Sequence, residues 1–219
     1  MGKFRKWILA TAAMAFLWGP GWPPAAARAS STGVFNTHEI RRTNLKPFTK
    51  WRDALKRYER ESAKTPGRCG DLQANKCRFR EWAALIEKLR GLPPAEQMRR
   101  VNRFMNRSRY IIDPINWGVK DYWESPGQFF TREGDCEDYA ITKYMTLKRL
   151  GFDPRSMRIV VLRDLNLKIA HAVLVVAMNG KRWILDNQIE QVVEDKTIRH
   201  YLPLYSINEY AWWLHRKEG

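Results

Sequence analysis

Cys136, His171 and Asp186 are the side chains whose types and placement best support chemistry. Cys136 follows Gly134 and Asp135 at the start of a segment with helical apolar spacing. Asp135 is a suitable N-cap, which puts the thiol in the first helical turn. There the helix dipole favours a thiolate, and free backbone N–H groups can hold an oxyanion. A cysteine at a helix start is weak grounds by itself, because cysteines are among the most commonly buried residues.

The hairpin downstream adds geometry. Asn179-Gly180 is a strong two-residue turn signal, and such a turn pairs Met178 with Lys181. His171 then stands opposite Gln188, and Asp186 opposite Val173. Side chains alternate along strands, so His171 and Asp186 share a face as diagonal neighbours, about 7–8 Å apart at the backbone. A base oriented by an acid, both turned toward a helix-borne thiol, is the arrangement of cysteine hydrolases. A satisfied core histidine is the competing reading of His171, weakened by an Asp in an otherwise apolar hairpin. His38, His200 and His215 have no comparable setting.

Asp135, Glu137 and Asp138 crowd the thiol, and their field should raise its pKa. A hard divalent cation held by oxygen ligands would relieve this, and calcium is the usual extracytoplasmic choice. Helix capping alone also accounts for acids at an N-terminus. Both readings stand.

Several elements must position these groups. Phe48, Trp51, Leu55 and Tyr58 recur at helical spacing, predicting a helix over residues 47–62. Phe79, Trp82, Leu85, Ile86 and Leu89 mark a second that ends near Gly91. Pro93-Pro94 opens a third, with Met98, Val101 and Met105 inward; the aromatic stripes read as core packing. Asp113-Pro114 and Ser125-Pro126-Gly127 are turn signals. A fourth helix spans Asp135 to Leu150, with Gly151 as its C-terminal cap and Phe152 as the capping contact. Strand-like runs occupy residues 157–162, 169–178 and 182–185. Helices first and antiparallel strands later predict an α+β fold.

The chain has 219 residues, is 44% hydrophobic and 28% charged, and can build a sizeable core. That excludes disordered and fibrous classes, and three cysteines exclude a disulfide-stapled miniprotein. Residues 1–29 have the order of a secretory signal peptide. Basic Lys3, Arg5 and Lys6 precede an apolar run at 7–18 that is shorter than a membrane span, and Ala25 to Ala29 supply small residues for cleavage. Residues 30–219 then form one domain, without stable membrane insertion once the leader is removed. In an oxidising compartment Cys69 and Cys77 are expected to pair, leaving Cys136 as the odd thiol.

Removing the leader's four basic residues takes the formal charge from +16 to +12. Residues 41–109 carry 20 basic and 7 acidic side chains, whereas 110–219 carry 15 of each. The basic helical part is thus distinct from a neutral catalytic part. An exported protein rarely meets nucleic acid, so a docking surface for an acidic protein or anionic envelope is the better functional reading. Solvated helix faces are the simpler one.

Val101-Asn102-Arg103-Phe104, Asp121-Tyr122-Trp123, Gly134-Asp135-Cys136-Glu137-Asp138-Tyr139-Ala140, Ala170-His171-Ala172-Val173 and Leu185-Asp186-Asn187 together resemble the bacterial transglutaminase-like cysteine proteinases, whose best-understood branch is the LapG-type periplasmic proteases. The resemblance runs from about Phe48 to the C-terminus, and its most specific piece is the block around Cys136. It implies a papain-like or transglutaminase-like core with Cys136 as nucleophile, His171 as base and Asp186 as orienting acid. It also implies calcium carried by Asp135, Glu137 and Asp138, and a periplasmic location. The implied substrate is a large surface adhesin, cut near its N-terminus to release it and disperse biofilm. The implied inhibitory partner is an inner-membrane cyclic di-GMP receptor. The Cys69 and Cys77 pair is no part of that pattern. In the implied mechanism the Cys136 N–H holds the oxyanion, with the indole of Trp117 or Trp123 as a candidate second donor. Acyl transfer by the same triad, as in a transglutaminase or amidase, and an inactive calcium-dependent binding module are the rival readings.

Overall fold

The computed structural model describes residues 33–62 and 76–217. The expected leader and the Cys69–Cys77 pairing lie outside the described residues. The helices are α1 (Thr49–Ser62), α2 (Lys76–Leu89), α3 (Pro94–Met105), α4 (Asp113–Asn116), α5 (Pro126–Arg132) and α6 (Cys136–Arg149). The strands are β1 (Thr37–Arg42), β2 (Met157–Asp164), β3 (Ile169–Met178), β4 (Lys181–Leu185), β5 (Val193–Glu194), β6 (Tyr201–Ile207) and β7 (Trp212–Lys217). They form one sheet in the order β1-β7-β6-β2-β3-β4-β5, antiparallel throughout. The fold is α+β, as expected.

The β3–β4 hairpin has the anticipated register, from Met178 opposite Lys181 to Leu174 opposite Leu185. Asn179 and Gly180 both take positive φ, 53° and 72°, as the tight turn requires. At the far end of α6, Gly151 takes φ +97°. The Phe152 N–H bonds Leu147 O and the Gly151 N–H bonds Lys148 O, each at 3.1 Å, closing the helix in a Schellman motif.

The expectation of three strands following the helices is corrected. β1 precedes every helix, so Arg41 and Arg42 belong to a strand, and β5, β6 and β7 were missed. Their sequences explain why: β1 (THEIRR) has one aliphatic residue and β6 contains Pro203. What holds the polar edge is partly cation–π packing: Arg158 lies 3.8 Å from the Trp213 ring centroid and Arg41 lies 5.9 Å from it.

Two apolar clusters cover opposite sheet faces. The larger joins Trp51, Trp82, Phe129, Phe130 and Tyr144 to Ile159, Leu174 and Val176. The smaller gathers Val34, Phe35, Val160, Val173, Val175, Ile184 and Tyr201. Coverage on both sides explains why β2 and β3 read as continuous apolar runs. The thiol-bearing α6 is buried continuously from Asp138 to Leu147, which fixes its N-terminus against the sheet.

Among the described residues no helix is long and apolar enough to cross a membrane. Trp82 anchors α2 to α6: its Nε1 donates to Thr146 Oγ1 at 2.8 Å, and its ring packs on Phe79 and Phe130. Trp82→Ala should destabilise the protein by about 3–5 kcal/mol. Guanidinium unfolding of the variant against the parent measures this.

Candidate active site

Cys136 is the first residue of α6 and is 9% exposed. Its thiol donates to Glu137 Oε2 at 3.1 Å, and Tyr110 and Ala172 of β3 line the cleft beside it. The turn before it is tightly built. Gly134 O accepts from the Ile111 N–H at 3.0 Å, and a Cβ at Gly134 would lie 2.3 Å from Asp138 Oδ2. Only glycine fits there.

His171 is 3% exposed and Asp186 is fully buried, just past the end of β4. The shared face deduced from the hairpin becomes a hydrogen bond of 2.9 Å between His171 Nε2 and Asp186 Oδ1. Asp186 Oδ1 also accepts the Gln188 N–H at 2.9 Å, and Oδ2 accepts the Tyr201 hydroxyl at 2.7 Å. Burial pushes this carboxyl up, but the bonds and charge of His171 outweigh it and hold the pKa below the usual value. With Nε2 committed to the acid, Nδ1 of a neutral imidazole is the free basic nitrogen.

Cys136 and His171 line one cleft of about 300 Å³, with Tyr110, Trp123 and Tyr205 among its walls. A thiol at a helix N-terminus and an imidazole held by a buried carboxylate can carry nucleophilic acyl chemistry. Burial first, then Glu137 and Asp135, push the Cys136 thiol well above its ordinary pKa. The thiolate is therefore disfavoured by its burial and, after that, by the carboxylates beside it.

Those charges form a larger cluster than the sequence suggested. Asp113 and Asp121 join Glu137 within ligand distance of one another, and Asp113 also meets Asp135 and Asp138. Burial, with neighbouring acids adding to it, raises Asp135 to about 8 and Asp113 to about 6. Glu124, behind them, is raised to about 8, chiefly by burial. Asp113 Oδ1 and Asp135 Oδ1 are buried without a hydrogen-bond partner. Unpartnered carboxylate oxygens converging on one point, with Asp121 and Glu137 alongside, suit a hard cation such as calcium.

Asp138 is placed differently. It is fully buried and does not line the cleft. Its Oδ1 accepts the Glu124 N–H at 2.7 Å and its Oδ2 the Asp135 N–H at 3.0 Å, which braces the turn. Of the two indoles considered as oxyanion donors, Trp117 is spent: its Nε1 bonds Glu124 Oε1. Trp123 remains on the cleft wall.

Sequence reasoning missed Tyr110, Asp113 and Glu124. Asp113-Pro114 was read as a turn signal, and no local pattern marks these residues as neighbours of Cys136. It also missed His215, which is buried with Nδ1 2.8 Å from Thr37 Oγ1 and Nε2 2.9 Å from Ser206 Oγ. Burial presses its pKa to about 4 despite Glu39 nearby. Lys143, fully buried on α6, is lowered to about 7 by burial, partly offset by Asp186.

The sequence model of the family described as bacterial transglutaminase-like cysteine proteinase matches residues 67–218. Among solved structures, Legionella pneumophila LapG is similar at 33% identity, covering 74% of this chain and 87% of that one, with a TM-score of 0.60. Its calcium-bound form is 32% identical, covering 77% and 89%, with a TM-score of 0.60. The EGTA-treated form, also 32% identical, covers 76% and 87% with a TM-score of 0.61. No curated protein sequence matches the chain significantly.

The acid cluster sets a pH signature. Asp113, Asp135 and Glu124 have folded pKa values of about 6 to 8, above their ordinary values of 3.8 and 4.5. The folded state therefore holds protons that the unfolded state releases, so the stability they contribute falls as pH rises through 5 to 8. His215 opposes this between about 4 and 6.5, and Lys143 opposes it above about 7. A bound cation cancels the acid contribution alone. The gap in melting temperature between calcium and chelator should therefore widen from pH 5 to pH 8. Thermal scans that show a constant or narrowing gap contradict the cation site.

Proposed function

The chain belongs to the bacterial transglutaminase-like cysteine proteinases, and on that footing we propose that it is a periplasmic, calcium-dependent cysteine endopeptidase. Its substrate is a large surface adhesin, cut in the N-terminal region so that the adhesin is released and biofilm disperses. An inner-membrane cyclic di-GMP receptor is its inhibitory partner. The observation that carries the catalytic reading is the buried His171–Asp186 hydrogen bond of 2.9 Å, set on the same cleft as the helix-terminal thiol. The leader-like residues 1–29 support export, and the motifs shared with LapG-type proteases support the adhesin and the receptor.

His171 Nδ1 takes the thiol proton as Cys136 Sγ attacks the scissile carbonyl. The Cys136 N–H, free at the helix start, stabilises the tetrahedral oxyanion. The imidazolium, steadied by Asp186, protonates the leaving amine, and water activated by the same imidazole then releases the acyl group from sulfur. Asp113, Asp121, Asp135 and Glu137 are the residues that would hold calcium. When bound it supplies positive charge that offsets the carboxylates opposing the thiolate. The calcium-bound and EGTA-treated forms of Legionella LapG support this assignment.

The test is incubation of purified protein with the N-terminal region of a repeat adhesin from the same organism. Cys136→Ala and His171→Ala should each lower cleavage roughly 10⁶-fold while the protein stays folded. Asp186→Asn should retain more activity, because that residue orients the base and does not react. Chelation should stop cleavage and calcium restore it, with magnesium a poor substitute. Cleavage by the Cys136 variant would refute the nucleophile. Formation of amine conjugates in place of cleavage would move the activity to acyl transfer.

A further inference from the structure

Helix α3 has two edges with different duties. Its inner edge holds the loop that follows Asp186. Asn102 Nδ2 donates to Ile189 O at 3.0 Å and to Glu190 O at 2.9 Å, and Asn106 Nδ2 donates to Asp186 O at 2.8 Å. Its outer edge, continued into the following turn, is arginine. Arg99, Arg103 and Arg107 recur at four-residue steps with Arg100 beside them, all exposed. A recess of about 380 Å³ opens on one side of Arg103 and Arg107, against Leu85 and Phe104. A second, of about 410 Å³, opens on the other side against Asn187 and Gln188.

Four guanidinium groups on this edge face two carboxylates. Glu96 is shared between Arg99 and Arg100, with its Oε1 2.5 Å from Arg100 Nε. Glu190 stands 3.4 Å from Arg103, and both side chains of that pair are more than half exposed. Among the described residues no carboxylate pairs with Arg107. An exposed pair of this kind is weak and easily exchanged.

We propose that this arginine edge is a docking site for an acidic segment of a partner polypeptide, whose carboxylates replace Glu190 on Arg103 and occupy Arg107. Guanidinium forks match carboxylates bidentately, and within the chain one carboxylate, Glu96, already bridges two of the four arginines, one oxygen to each. The arginines form a ridge between two recesses, which suits an extended chain more than a flat lipid surface. The proposal does not depend on whether Cys136 cuts. Its consequence for the site is direct, because Asn187 and Gln188, next to Asp186 in the chain, line one of the two recesses.

The test is fluorescence anisotropy of labelled poly-glutamate, about twenty residues long, titrated with the full chain at two salt concentrations. Binding should saturate and weaken with salt. The pair Arg103→Glu/Arg107→Glu should weaken it at least tenfold, and Arg103→Lys/Arg107→Lys severalfold, because charge remains but the fork is lost. Arg52→Glu/Lys56→Glu on α1 makes the same change in net charge and should leave binding intact. All these side chains are at least partly exposed, and melting temperatures confirm that the variants fold. Unchanged binding by the Arg103/Arg107 glutamate pair overturns the proposal, as does an equal loss in the α1 pair. So does loss confined to phosphatidylglycerol vesicles run in parallel.

Discussion

Concentrated negative charge at the start of α6 governs the rest of the site. Asp113, Asp121, Glu124, Asp135, Glu137 and Asp138 surround one helix N-terminus, in a protein whose formal charge is +16. The helix dipole and its free N–H groups can accommodate an acid or two there. Asp138 has both oxygens held by backbone N–H groups, but Asp113, Glu124 and Asp135 each keep a buried oxygen without a partner. The chain's cations relieve little of this. Lys50 meets Asp121 at 2.6 Å on the surface, while buried Lys143 is attracted toward Asp186. This end of the helix is therefore relieved either by protonation of its acids or by a cation from outside the polypeptide.

His171 and Asp186 are governed by a different and simpler constraint. A two-residue turn sets the β3–β4 register, and the register sets which side chains share a face. Asp186 lies just beyond the last ladder pair, and three further bonds hold the neighbourhood in place: Tyr201 and Gln188 to the carboxylate, and Asn106 to the Asp186 carbonyl. His171 is also packed edge-on against Tyr201, with centroids 5.8 Å apart. The imidazole is thus oriented by rigid sheet geometry, and the thiol by a helix end whose shape depends on charge.

This division explains what was legible in the sequence. The hairpin, the four long helices and the pairing of His171 with Asp186 follow from short-range rules: a turn dipeptide, a 3.6-residue period, and alternation along strands. Asp113, Glu124 and Tyr110 reach Cys136 only through the folding of the segment between α3 and α6, where Pro114 and Pro126 mark turns but carry no distance information. The outer strands were illegible for another reason. β1 and β7 are polar and amphipathic, and their stability lies in cross-strand contacts such as Arg41 and Arg158 on Trp213. His215 belongs with them, since nothing near it in sequence announces Thr37 or Ser206 as its partners.

The strand order also says when the fold can be completed. β1 has a single neighbour, β7, registered from Thr37 opposite Lys217 to Arg42 opposite Trp212. The His215 bridge between Thr37 and Ser206 ties the same two strands to β6. Among the described strands, the first therefore has no neighbour until the last has been synthesised. Contacts spanning nearly the whole chain form late and slowly, because the loop they close must be ordered first. Until β7 has been made, the sheet stays open at β6. The topology thus works as a timer as well as a scaffold.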